Sequence, residues 1–197
     1  MYSLTMNMIK DIEDSILKSS KIIQDSVNIS EQIESSIHLI LDCLNHGNKI
    51  ILFGNGGSAA DAQHIAAEFI GRFKLERNSL PAISLTTDSS ILTSIGNDYS
   101  FDQIFSKQCE GLIKSGDVSI GISTSGNSKN VELGLKTSKE KGASTIALLG
   151  CDGGSIQKNV DISIIVNSND TAKIQEVHRV IYHIICDIVE SKMALSD

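Results

Sequence analysis

The sequence predicts a doubly wound α/β fold with a mainly parallel sheet, preceded by two amphipathic helices, and three observations carry that reading. Short apolar runs, mostly β-branched, recur near residues 50–53, 82–85, 118–123, 145–149 and 162–166, each bounded by Gly, Asp, Asn or Ser. Segments with helical spacing alternate with these runs, which is the pattern of a sheet covered by helices on both faces. The first run passes without a break into a glycine-rich loop and then an alanine-rich helix, Gly54-Asn55-Gly56-Gly57-Ser58-Ala59-Ala60. Strand, tight loop, helix is the order in which such a fold builds a ligand site.

The chain begins with two helical patterns. Ile9, Ile12, Ile16, Ile23 and Val27 recur at helical spacing among polar residues, and Ile33, Ile37, Ile40, Leu41 and Leu44 repeat the pattern after Asn28-Ile29-Ser30. Ser30 is the expected N-cap of the second helix and Gly47 its stop. These isoleucine stripes suit either this chain's own sheet or another copy of the chain, and a homo-oligomer is favoured. Residues 1–47 are therefore read as a helical pair for packing and oligomerisation, and residues 1–197 as a single domain.

The loop after the first run lets backbone approach a ligand closely, and the free N–H groups at the start of the next helix favour an anion. Its spacing is neither that of the dinucleotide fingerprint nor that of the Walker loop. His64 and Glu68 follow on one face of this helix, four residues apart. An imidazole and a carboxylate so placed can share a metal ion or divide proton transfers between them, and an exposed i,i+4 pair is the plainer alternative. Ala59, Ala60, Ala62, Ala66 and Ala67 around the pair leave room for a ligand.

After the second run, residues 86–90 are expected to cap a helix over 88–95, ended by Gly96-Asn97-Asp98-Tyr99; Asn97 and Asp98 could reach sugar hydroxyls if the strand ends converge. A further helix is expected over 101–113. The loop Ser123-Thr124-Ser125-Gly126-Asn127-Ser128 then offers four hydroxyls and an amide beside a helix over 128–141, more than an ordinary N-cap requires, and reads as a phosphate loop. Nothing in Cys151-Asp152-Gly153-Gly154 demands chemistry. The last helix, 171–193, carries Gln175, His178 and His183 opposite an isoleucine-rich side. Gln175 and His183 are two turns apart and could face one cleft; spacing does not choose between His178 and His183.

Composition narrows the function further. Seventeen Lys and Arg against 24 Asp and Glu give a formal charge of -7, and no basic cluster is present to hold a nucleic-acid backbone. A small phosphorylated substrate needs only local donors. The four cysteines are scattered without a CxxC pair, as expected of reduced thiols. The first residues lack the basic region and apolar core of a leader, and a cytoplasmic protein is expected.

Taken together, residues 54–64 with Glu68, the loop 123–128, and Thr171-Ala172-Lys173-Ile174-Gln175-Glu176-Val177-His178 followed by His183 resemble the phosphoheptose isomerase family of the sugar isomerase (SIS) domain superfamily. The resemblance runs over nearly the whole chain and implies a flavodoxin-like sheet, a homotetramer with sites at subunit interfaces, and one zinc ion per subunit at His64, Glu68, Gln175 and His183. It implies substrate contacts at Asn55, Gly56, Gly57, Ser58, Glu68, Asn97, Asp98, Ser123, Thr124, Ser125, Ser128 and Gln175, and favours His183 over His178. Lys173 stands where an arginine is frequent in the family. The implied reaction is aldose–ketose isomerisation of sedoheptulose 7-phosphate to D-glycero-D-manno-heptose 7-phosphate through a cis-enediol, the first step towards nucleotide-activated heptose for lipopolysaccharide or capsule. Glu68 is the expected base at carbon and His183 its acid/base partner, with the base and ligand roles of Glu68 in competition. The alternatives are a non-catalytic SIS-domain protein that binds sugar phosphates or regulates, and an isomerase of another phosphosugar.

Overall fold

The computed structural model describes residues 2–195 and bears out the alternation. Two helices come first, α1 (Tyr2–Asp25) and α2 (Ser30–Asn45), joined by the 3-10 turn Ser26–Ile29. The strands are β1 (Ile50–Gly54), β2 (Ala82–Ser84), β3 (Val118–Ser123), β4 (Ser144–Gly150) and β5 (Ile162–Val166). Between and after them lie α3 (Gly57–Ile70), α4 (Ser89–Asp98), α5 (Ser106–Leu112), α6 (Lys129–Glu140) and α7 (Thr171–Met193).

The five strands pair in the order β2-β1-β3-β4-β5, and every pairing is parallel. Strand order reverses between β1 and β3, so the loops that leave these two strands flank the crevice in which open α/β sheets bind ligands. Side chains alternate across the sheet. Ile50, Leu52, Val118, Ile120, Ile122, Ile146, Leu148 and Ile164 pack under α2, α3 and α7, while Ile51, Phe53, Ala147 and Leu149 pack under α5 and α6. Burial on both faces explains why the strands read as unbroken apolar runs.

Several local expectations change in three dimensions. Ser30 is no N-cap: the cap position is Ile29, without a side-chain cap bond, and the Ser30 hydroxyl donates to the Val27 carbonyl at 2.7 Å. The 3-10 turn before it already supplies a helical lead-in, so no acceptor is needed there. Gly47 does end α2, at φ 73°. Asp88 caps α4 by accepting from the Ile91 N–H at 2.9 Å, but Gly96 does not stop it; the helix runs on through Asn97 and Asp98 to Tyr99. The helix expected over 101–113 divides into the 3-10 turn Phe101–Gln103 and α5, with the adjacent Ile104 and Phe105 both buried at the break.

α2 buries Ile33, Ile37, Ile40 and Leu44 against the chain's own sheet. α1 behaves differently: Met8, Ile9, Ile12, Ile16 and Leu17 are each more than half exposed. All four cysteines are free; burial pushes the thiols of Cys43 and Cys109 up to about 11 and that of Cys186 to about 12, which keeps them protonated and inert. Among the described residues, no helix is long and apolar enough to cross a membrane.

Candidate active site

The site begins at the ends of β1 and β3. Gly56 and Gly57 are exposed where the chain turns into α3, and the turn closes through Ser58 N–H to the Asn55 carbonyl at 3.0 Å. A Cβ at Gly57 would collide with the Gln175 amide, so a side chain there would force that amide to shift. Ser58 is buried. Across the crevice, the Ser123 hydroxyl donates to the Ser128 hydroxyl at 2.9 Å, and the Ser125 hydroxyl accepts from the Asn127 N–H at 3.1 Å. Ser125 is exposed and Thr124 half-buried, with the Thr124 carbonyl accepting from the Cys151 thiol. Ser128 sits at the cap position of α6 but makes no side-chain cap bond, which leaves its hydroxyl to the loop.

The two loops are tied together by a residue that sequence reasoning passed over. Asn55 and Asn130 exchange amide hydrogen bonds in both directions, at 2.8 and 2.9 Å, and the Asn130 carbonyl oxygen also accepts from the Val131 N–H. Asn130 is buried in the first turn of α6. An asparagine at a helix start beside a hydroxyl loop was the available signal, since its amide competes for backbone partners there.

The second half of the site lies along the seam between α3 and α7, which run in the same direction. Gln175 meets Gly57, Arg179 and Tyr182 meet Asp61, and His183 meets His64. His64 Nε2 lies 2.8 Å from Glu68 Oε1, and the His64 and His183 rings meet edge to face with centroids 5.3 Å apart. Donor atoms of His64, Glu68 and His183 all fall within 4.8 Å of one another, close enough to hold one metal ion. Two imidazoles and a carboxylate are a donor set that zinc accepts. The i,i+4 pair is thus joined by a third potential ligand, His183 from α7. The Gln175 amide lies against Gly57, at the start of α3 and seven residues before His64.

Electrostatics separate the two histidines of α7. Burial and the neighbouring His64 hold the His183 imidazole below its ordinary value, so it is neutral at pH 7, as a ligand or proton acceptor must be. His178 is fully buried, its Nε2 against the Leu149 carbonyl at 2.9 Å, and burial lowers its pKa. That ring packs α7 onto β4 and has no access to substrate. Asn97 and Asp98, exposed at the end of α4, bond to each other at 2.8 Å.

A buried clamp holds the seam in register. Glu190 accepts the N–H groups of Phe73, Lys74 and Leu75 at 2.8, 2.6 and 2.9 Å and pairs with Arg77 Nε at 3.2 Å. Burial opposes its charge, but those N–H donors and Arg77 outweigh it and hold the carboxyl below the usual range. Arg77 in turn donates to the carbonyls of Glu68, Phe69, Gly71 and Asn78. The far end of α7 is thereby fastened to the end of α3 that carries Glu68.

Comparison with known proteins converges on one family. The profile of the SIS domain matches residues 6–150. A phosphoheptose isomerase of Geobacter sp. (strain M21) is 59% identical over 85% of this chain and 87% of its own length, and that of Geotalea daltonii is 51% identical over 94% and 97%. The solved structure of a phosphoheptose isomerase from Neisseria gonorrhoeae superposes with a TM-score of 0.89 at 42% identity, covering 93% of this chain and 99% of the other. The chain, with its crevice between β1 and β3 and its His64–Glu68–His183 group, belongs to the phosphoheptose isomerase family of SIS-domain enzymes.

Proposed function

We propose that this isomerase interconverts sedoheptulose 7-phosphate and D-glycero-D-manno-heptose 7-phosphate in the cytoplasm, at the head of nucleotide-activated heptose synthesis for surface polysaccharide. The observation that carries the reading is the convergence of His64, Glu68 and His183 within 4.8 Å beside two anion-suited loops. Hydroxyls of Ser123, Thr124, Ser125 and Ser128, with backbone at Asn55, Gly56, Gly57 and Ser58, hold the phosphate by neutral hydrogen bonds, which suits a chain of net charge -7. Asn97 and Asp98 take sugar hydroxyls.

Glu68 turns one carboxylate oxygen to His64 and keeps the other for the substrate. That oxygen removes a proton from carbon 1 and returns it to carbon 2. His183, neutral at pH 7, moves a proton from the carbon-1 hydroxyl to the carbon-2 oxygen. Atoms and electrons balance without an external oxidant. His64, Glu68 and His183 would hold a zinc ion, with Gln175 as the further ligand; when bound, the ion would supply Lewis-acid polarisation of the carbonyl and enediol oxygens. The exposed apolar side of α1 supports assembly with further copies of the chain, as a homotetramer with sites at subunit interfaces.

Incubation with sedoheptulose 7-phosphate, followed by NMR detection of the aldose, tests this reading. Turnover is expected, suppressed by a chelator and restored by zinc. A folded protein that leaves this substrate unchanged in every condition would overturn it.

A further inference from the structure

Behind His64 stands a buried polar chain that neither phosphate binding nor proton transfer uses. Tyr182 is almost wholly buried, and its hydroxyl lies 3.1 Å from His64 Nδ1 and 3.3 Å from Asp61 Oδ1. Asp61 is buried as well; it accepts from Arg179 Nη2 at 3.0 Å, while Arg179 Nε donates to the Tyr182 hydroxyl at 3.1 Å. A tyrosine hydroxyl has one proton to give, and a carboxylate can only accept. With Arg179 already donating to that oxygen, the hydroxyl proton goes to Asp61 and His64 Nδ1–H becomes the second donor to it. Nε2 faces Glu68 Oε1 at 2.8 Å, and since a carboxylate only accepts, Nε2 carries the proton of that bond until a metal ion takes the proton's place. A histidine that ligates through Nε2 needs its remaining proton on Nδ1, and that nitrogen is ordinarily held by such a partner.

We infer that Tyr182, backed by Asp61 and Arg179, is a positioning residue that fixes the tautomer and ring orientation of His64 for metal binding. The inference rests on the metal reading of the His64–Glu68–His183 group. Tyr182→Phe keeps the ring that fills the core and removes only the hydroxyl. Arg179 Nε, on a side chain 58% exposed, can turn to water while Nη2 keeps its bond to Asp61, so the fold is expected to survive.

Zinc would be titrated into metal-free wild type, Tyr182→Phe and His64→Ala in competition with a chromophoric chelator, with thermal unfolding measured alongside. Tyr182→Phe is expected to bind zinc 10- to 100-fold more weakly with little change in the metal-free unfolding midpoint, and His64→Ala to lose the site. Wild-type affinity in Tyr182→Phe, beside loss in His64→Ala, would overturn the positioning role and leave the metal site standing. Equal affinity in all three proteins would overturn the metal reading itself. Should Tyr182→Phe fail to fold, nitrogen-15 NMR of the His64 ring in zinc-loaded wild type decides: a proton on Nδ1 with zinc on Nε2 supports the inference, and zinc on Nδ1 overturns it.

Discussion

The loop end of the crevice and the α3–α7 seam are built in opposite ways. At the loop end most hydrogen bonds are neutral and local: Ser123 reaches Ser128 five residues on, and Asn127 reaches Ser125 two residues back. Along the seam the links are charged or titratable and join distant parts of the chain. Arg179 and Asp61 lie 118 residues apart, Tyr182 and His64 also 118, and Glu190 and Phe73 117. Anion-suited loops can thus be written largely into local sequence, with the Asn55–Asn130 pair as a long-range tie between them. Proton transfer between two carbons needs an acid and a base converging on the same atoms, and the proposed pair, Glu68 and His183, comes from two helices far apart in the sequence. The loops should tolerate loss of a single hydroxyl, and the seam should not tolerate loss of a carboxylate.

The sharpest test of that contrast is Glu68→Gln. Removing the base while keeping its shape is expected to lower turnover by about 10²- to 10⁴-fold with the unfolding midpoint nearly unchanged; near-normal turnover, measured by the same aldose assay, would sink the assignment. Next comes the clamp. Glu190→Gln removes the charge from a buried pair and is expected to cost about 3–5 kcal/mol of stability at neutral pH, read by denaturant unfolding. Because the folded Glu190 carboxyl lies below its unfolded value, its contribution is complete above the ordinary glutamate range and is lost as pH falls through the lowered folded value. The difference between wild type and Glu190→Gln should therefore shrink in acid, and a difference constant with pH would count against the clamp. The smallest effect is expected from Ser125→Ala, which removes one exposed hydroxyl: a rise in KM of a few-fold to tenfold, about 1 kcal/mol, with stability unaltered. An unchanged KM would remove Ser125 from the phosphate loop.

Much of this was legible in the chain. The five strands were visible because a parallel sheet buried on both faces demands continuous apolar runs, and the two loops because glycines and hydroxyls cluster where a strand hands over to a helix. His64 and Glu68 could be paired because helical geometry alone puts residues four apart on one face. Asn130, Asp61, Tyr182 and Arg179 escaped notice because each is unremarkable beside its own neighbours and acquires a role only from a partner on another element. Ser30 misled for the converse reason, since a good N-cap residue does not cap where a preceding 3-10 turn already leads in.

The sequence by itself determined the layers of the fold and the place of the glycine- and hydroxyl-rich loops, since propensity, periodicity and turn chemistry act over a few residues. Only the tertiary structure gives the physical reason why His183, which the resemblance favoured, and not His178 stands beside His64. His178 and His183 sit five residues apart on one helix; packing seals the first against the Leu149 carbonyl and turns the second towards His64. That choice depends on how α7 is rotated against the sheet and α3. The rotation follows from the burial of its isoleucines and from the Glu190–Arg77 clamp, interactions that exist only once segments distant in the chain have come together.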